Sequence, residues 1–444
     1  MNLGQSPKNT ASRRGFLKKT AATALAVGAG PAIIVPGRAE QKTLRILKWK
    51  NFVAEFDRWF NETFVEEWGA QNDTRVIVDS IGLGELSGRT AAEAKAQTGH
   101  DLVLLLTPAS AFQDSVIDHR EIFEESVRRY GQPLDVALKS CNDPRTGKHN
   151  GLCTSILPAL ITYRSDLWGE IGATPDSWDD VRRGGRKIRL LHDQPVGISL
   201  APEHNSEHSL RAIMYSFGSS IQDGDGKPNL RSNQTLEVIK YTKALFEEAM
   251  PADVLGWNAV SNNQFMLSAE GCLTLDTLSI VRASESKRMP VADNLRLAML
   301  PSGPVGRVGP SFGIDNFIIW KFSQNIDGAK NFLLDFIGAS RDSTLVSGFQ
   351  HLPSYPDAVT DLESLVTSDA NAAVPDQYSL LKDVDDWVTN VGYPGFANPA
   401  VGEILSARLI SKMFAAAATG ELTPDEAMVQ ADQEVQRIFD RWRS

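Results

Sequence analysis

His204-Asn205-Ser206-Glu207-His208 has the His-x-x-Glu-His spacing with which two imidazoles, one helical turn apart, bind zinc while the glutamate serves as general base. The setting weakens that chemistry. Ser206 is a natural N-cap for a helix over 207–218, which leaves His204 in the preceding loop, and the sequence marks no third ligand. A secreted zinc-dependent hydrolase therefore stands only as a remote alternative. Gly309-Pro310-Ser311-Phe312-Gly313 fits the Gly-x-Ser-x-Gly pattern, but a nucleophile elbow needs a strand before the serine and a helix after it. Here a Gly/Pro-rich loop precedes and a strand follows. Gly82-Leu83-Gly84-Glu85-Leu86-Ser87-Gly88 sits between strand and helix as a dinucleotide loop would, yet its third glycine is one position late and no acidic residue ends the next strand. Asp223-Gly224-Asp225-Gly226 lacks the spaced ligands and terminal Glu of a calcium loop and reads as a hairpin turn. No base pairs with a nucleophile, so the chain reads as a non-enzyme with no catalytic residue, no metal ligand and no cofactor.

Cys141 and Cys153 flank a segment whose Asp143-Pro144 and Thr146-Gly147 signal a hairpin. The two thiols are thereby expected to face each other across antiparallel strands, as a disulfide or as two free thiols. Cys272, inside an apolar run, reads as a small buried hydrophobe.

The elements that must position such residues begin with a strand over 43–49, a helix over 52–68 with apolar residues at 52, 56, 59/60 and 64, and a strand over 74–79. A helix over 87–97 leads to Asp101-Leu-Val-Leu-Leu-Leu106, an apolar run suited to a strand buried on both faces. This β-α-β-α-β order predicts a parallel sheet covered by helices. Short strands are expected near 151–163, 196–200, 271–276, 295–300 and 314–320, and helices near 206–218, 233–248, 327–340 and 399–418. A last helix opens on the capping box Thr423-Pro-Asp-Glu426.

The 444 residues, 42% hydrophobic and 23% charged, describe a globular protein long enough to divide into two units. Residues 1–39 hold Lys8, Arg13, Arg14, Lys18, Lys19, Arg38 and no acid. Ser12-Arg13-Arg14-Gly15-Phe16-Leu17-Lys18 precedes the weakly apolar stretch 21–36, which falls short of the about 20 residues a spanning helix needs. This has the form of a twin-arginine signal cleaved after Ala39, addressing the rest to the periplasm without membrane insertion. The remainder carries 39 basic against 55 acidic residues, a net charge of −16, which disfavours nucleic acid and anionic lipid as partners.

Thr146-Gly-Lys-His-Asn-Gly-Leu152, Leu160-Ile-Thr-Tyr-Arg-Ser-Asp-Leu167 and Pro175-Asp-Ser-Trp-Asp-Asp180 follow one another in the order of the blocks of extracellular solute-binding protein family 1. Arg211–Gly218, Ser261–Ser268, Gly271–Asp276 and Asn331–Ile337 extend that succession, and the chain resembles this family over essentially all of its length after residue 39. Two departures are mild: His149-Asn150 replaces the usual Val-Tyr, and Arg164-Ser165 replaces Asn-Lys. The resemblance implies an α/β, two-lobed type II periplasmic-binding-protein fold with hinge crossings between lobes. One lobe is then 40–156 plus 316–372, the other 157–315 plus 373–444. It also implies a monomeric substrate-capturing subunit that closes on a sugar or polyol and hands it to an ABC permease.

Ligands of open α/β sheets lie beyond the carboxyl ends of strands. In the first lobe that selects Trp49 and Asn51, Glu85, and Thr107 with Ser110. Across the cleft it selects Asp276 and Ser279, where the family usually has Asn-Gly-Pro; Phe312 and Asp315 at a crossing; His204 at a helix entry; and Tyr393 before the helix at 399. Aromatic faces suit sugar C–H surfaces, while carboxylates, amides and hydroxyls suit sugar hydroxyls. The same carboxylates suit a cationic solute such as a polyamine or amino sugar, which remains the second reading.

Overall fold

The computed structural model describes residues 42–443; the signal expected at 1–39 lies outside the described residues. Strands β1 (Lys42–Trp49), β2 (Thr74–Ile81) and β3 (Leu102–Leu105) form the first half of a six-stranded sheet. β1 pairs in parallel with both neighbours, Trp49 opposite Ile81 and Ile46 opposite Leu102. Every residue of β3 is buried, as its unbroken apolar run requires. β2, at the sheet edge, keeps most of its residues partly or fully exposed.

The sheet is not parallel throughout. β4 (Leu152–Leu157) is a strand of this sheet, while β5 (Leu160–Arg164), β6 (Val196–Gly197), β7 (Leu273–Asp276) and β8 (Leu295–Ala298) build a second, four-stranded one. The chain then returns as β9 (Gly313–Ile319), antiparallel to β3 and β4, and β10 (Leu352–Pro353), antiparallel to β4. The orders are β10-β4-β9-β3-β1-β2 and β8-β5-β7-β6. Leu157 and Gly313–Asp315 pair within the larger sheet, so the passages between the sheets fall at 158–159 and within 299–312.

One apolar core packs Leu44, Ile46, Val103 and Phe317 against Phe332 and Phe336 of the helix Ile326–Gly338. A second surrounds the smaller sheet through Trp168, Trp178, Ile213 and Val238, and continues to Cys153, Ile156 and Leu352 of the larger one. The helix after β1 runs from Ala54 to Gln71 through a π segment, Phe60–Phe64, and packs Phe60 and Phe64 edge-to-face against Phe332 and Phe336. The helical stretch from 399 is two helices, Pro399–Ser406 and Leu409–Thr419, broken where Arg408 takes a left-handed φ of 56°. Among the described residues no helix is long and apolar enough to cross a membrane.

Candidate functional site

Parallel pairing brings the carboxyl ends of β1, β2 and β3 to one edge of the larger sheet. Trp49, the last residue of β1, is 1% exposed, with the Phe52 ring at 5.7 Å and the His351 ring at 6.2 Å. Its indole N–H has no partner. Phe52 is the ring that reaches solvent, at 45% exposed. Asn51 accepts from the Val53 N–H at 2.8 Å, which turns its amide NH2 toward His351 Nε2 at 2.5 Å. His351 thus accepts at Nε2 and carries its proton on Nδ1, where it meets the Asp315 carboxylate. Ser155 donates to the same carboxylate at 2.5 Å. Beneath them the buried Lys48 ammonium pairs with Asp57, and burial pulls its pKa down.

The smaller sheet presents Asp276 at the end of β7. Its carboxylate accepts from Thr277 N at 2.7 Å, Asn262 Nδ2 at 3.0 Å and Ser279 Oγ at 3.3 Å. Burial raises its pKa to about 7 against the pull of those donors. Asn263 holds Ser279 at 3.0 Å, and the Thr277 hydroxyl donates to Gln350 Oε1 at 3.0 Å.

Glu203, not Ser206, caps the helix His204–Ser216, accepting from Asn205 N at 2.7 Å and Ser206 N at 2.8 Å. The Ser206 hydroxyl is instead engaged with Ser199. The helix therefore begins at His204, which sits one turn above His208 with ring centroids 4.4 Å apart. Phe312 packs on both rings, at 5.8 and 5.5 Å. His208 Nδ1–H donates to Ser311 O at 3.1 Å, and His204 bonds to the Phe312 backbone. Both Nε2 atoms are left as free acceptors. Burial drives the pKa of His204 to about 3 and that of His208 well below the ordinary range, so both rings are neutral.

Glu207 is not a free base: it accepts from Ser411 N and Oγ, both at 2.9 Å, and pairs with the buried Arg211 at 3.1 Å. The nearby Arg211 and Arg408 also disfavour a cation beside the two imidazoles. Among the described residues no group of three or more His, Cys, Asp or Glu is placed to hold a metal ion.

Of the residues selected from sequence, Trp49, Asn51 and Asp315 gather around His351; Asp276 and Ser279 share one network; His204 and Phe312 share another. Thr107 is half-buried, its carbonyl accepting from Asn316 at 3.3 Å, and Ser110 is buried in the turn Ser110–Phe112. Glu85, exposed in the first turn of the helix Leu83–Ala96, and Tyr393, half-buried against Tyr215 at 5.2 Å, lie outside these groups.

Cys141 and Cys153 are free, buried thiols. The expected strand-to-strand geometry fails because Cys141 ends the helix Asp135–Cys141; only Asn142–Asp143 and Lys148–His149 pair as a hairpin. Cys141 donates to Asn316 Oδ1 at 3.3 Å and Cys153 to Ser155 O at 3.2 Å, and burial pushes the Cys141 thiol up to about 12.

Gln350, His351 and Phe52 were not selected from the sequence as ligand-facing residues, and His208 was weighed there only as a zinc ligand. Phe52 carried a signal, since an aromatic directly after a strand end is well placed for ligand, but it was absorbed into a helix that begins only at Ala54.

A family model described as bacterial extracellular solute-binding protein matches residues 53–337. A binding protein of Brucella abortus is 24% identical over 196 residues, 43% of this chain and 47% of that protein. The matched stretch thus spans about half the length of these curated relatives. The maltose-bound MalE3 of T. maritima is 17% identical with a TM-score of 0.74, covering 89% of this chain and 99% of that one. A solute-binding protein of an ABC transporter from Agrobacterium radiobacter, in complex with ribitol, is 16% identical with a TM-score of 0.73, covering 89% and 98%. These likenesses show the mixed α/β, two-lobed periplasmic-binding fold.

Proposed function

The chain belongs to the bacterial extracellular solute-binding protein family, and from that premise we propose that it captures a neutral sugar or polyol between its lobes and delivers it to an ABC permease. The observation that carries this reading is the approach of two strand ends: Thr277, after β7, and Asn51, after β1, bond to the adjacent residues Gln350 and His351. The Phe52 ring is exposed shortly after β1, and the His204 and His208 imidazoles beside Phe312 keep unpartnered acceptors, groups suited to the C–H faces and hydroxyl donors of a carbohydrate. Maltose and ribitol, held by the two structural neighbours, belong to that class.

A cationic solute fits less well, because both oxygens of Asp276 accept from protein donors and Asp315 Oδ2 accepts from Ser155 and His351, leaving only the buried Asp315 Oδ1 without a partner. Hydrolysis through His204 and His208 fits less well still, because Glu207 is tied to Ser411 and Arg211. On this reading the protein works outside the cytoplasmic membrane as a monomer, exported through its twin-arginine segment. Its lobes are divided at the passages 158–159 and 299–312 and after β10, and closure changes the surface offered to the permease.

A thermal-shift screen of the exported protein against maltose, ribitol, arabino-oligosaccharides, spermidine and zinc tests this. A ligand that binds only the folded form at 100 times its Kd adds about 2.7 kcal/mol of stability. A rise with a neutral carbohydrate supports the proposal, a rise with spermidine alone replaces it with the cationic reading, and no rise with any carbohydrate or polyol refutes it.

A further inference from the structure

The turn Gly348 to His351 ends in two residues, Gln350 and His351, that contact the strand ends of both sheets. Its backbone is unusual: Gly348 has φ 58°, and Phe349, a bulky residue, has φ 71°. A Cβ at Gly348 would meet Arg282 Nε at 2.9 Å, so only glycine fits. The turn is held from several directions. Arg282 donates to Gly348 O at 2.7 Å, lies 4.9 Å from the Phe349 ring and stacks 3.7 Å from the Tyr378 ring. The Phe349 N–H bonds to Thr344 O at 2.8 Å, His351 N to Ser347 Oγ at 3.1 Å, and Thr344 Oγ1 to His351 O at 3.0 Å.

The strained turn aims two adjacent side chains in different directions, each 1% exposed. Gln350 takes the hydroxyl of Thr277, beside Asp276 at the end of β7. His351 takes Asn51 and Asp315 and lies flat on Phe56, with ring centroids 4.3 Å apart and planes 12° from parallel.

We propose that Gln350 and His351 are positioning residues of the solute cleft, a dipeptide clasp that fixes the spacing between the ends of β1 and β7. The inference rests on the capture reading for its purpose but not for its test. Because the two contacts issue from neighbouring residues, whose Cα atoms are about 3.8 Å apart, the strand ends cannot separate without breaking one of them. The clasp acts through Asn51 and Thr277 and need not touch the solute itself.

Thr277→Val removes the hydroxyl at nearly constant shape, whereas Thr277→Ser keeps it. Nitroxide labels introduced by Arg75→Cys, in β2, and Arg186→Cys, in the helix Trp178–His192, read the distance between the sheets by pulsed electron resonance without any ligand. The expected result is a wider distance distribution in Thr277→Val and Gln350→Ala than in the parent and Thr277→Ser. Their double variant should be no wider than either alone, because both break one bond. Where the parent binds maltose or ribitol, Thr277→Val and Gln350→Ala weaken it by about fivefold, the effect of one neutral hydrogen bond, and Thr277→Ser stays within twofold. Equal distance widths in all variants overturn the clasp even if the solute binds. A parent that binds no carbohydrate or polyol of the thermal-shift screen overturns the capture reading and leaves the distance measurement to judge the clasp alone.

Discussion

The ends of β1 and β7 bury carboxylates in opposite ways. At β1, Asp57 faces the ammonium of Lys48 and Asp315 faces the imidazole N–H of His351, so each negative charge has a basic partner. At β7, Asp276 is met only by a backbone amide, an amide side chain and a hydroxyl, all neutral. Neutral donors do not offset the desolvation of a carboxylate, and its pKa climbs to about 7. One end of the site is therefore fixed by charge pairing, and the other is open to titration near neutral pH.

The largest expected effect tests the paired end. Asp57→Ala strips the partner from a Lys48 that is 1% exposed, and breaking a buried pair costs about 3–5 kcal/mol in urea unfolding. Replacing both charges by apolar residues, Lys48→Met with Asp57→Leu, should recover most of that loss. A single variant as stable as the parent would show that the pairing at β1 is incidental.

Next comes the titratable end. The folded pKa of Asp276 lies above its unfolded value, so its contribution is fully present below about pH 4 and is lost as pH rises through about 7. A shift from 3.8 to about 7 bounds the loss at the order of 4 kcal/mol. Asp276→Asn, which cannot ionise, should flatten this part of the stability profile between pH 5 and 8 relative to the parent. A slope that survives the substitution would assign it to another group.

How far the sequence foretold these ends follows from what each feature depends on. β3 was legible because five successive apolar residues leave few alternatives to a doubly buried strand, and the strand ends at Trp49 and Asp276 followed from pattern alone. The cap of the helix at His204 was not, because Ser206 is the better cap by intrinsic preference and only its engagement with Ser199 hands the role to Glu203. Trp49 was placed at the right strand end, but its burial depends on Phe52 and His351, the latter 302 positions away in the chain. His351 itself gave no signal: it sits in a short turn whose shape is set by Arg282 and Tyr378, contacts that no local pattern encodes.

The burial difference between neighbouring rings sharpens the comparison further. Phe52 is exposed and should contribute to solute rather than to folding, so Phe52→Ala should weaken carbohydrate binding by about three- to tenfold while changing stability by less than about 1 kcal/mol. Trp49→Ala would instead act through the fold, because its ring is 1% exposed and lies against Phe52 and His351. Calorimetry on the two variants separates these roles, and equal affinity in Phe52→Ala would remove that ring from the site.

The smallest expected effect is an absence of change. His204, with a pKa of about 3, and His208, held well below the ordinary range by burial, keep neutral acceptors throughout the range in which Asp276 titrates. If a solute hydroxyl bonds to their Nε2 atoms, its affinity should stay flat from pH 5 to 8 in Asp276→Asn, whereas the parent retains whatever dependence Asp276 imposes. Ordinary histidines would protonate across that interval and lose the acceptor, so a drop in affinity near pH 6.5 in Asp276→Asn would show that these rings are not sealed as the structure has them.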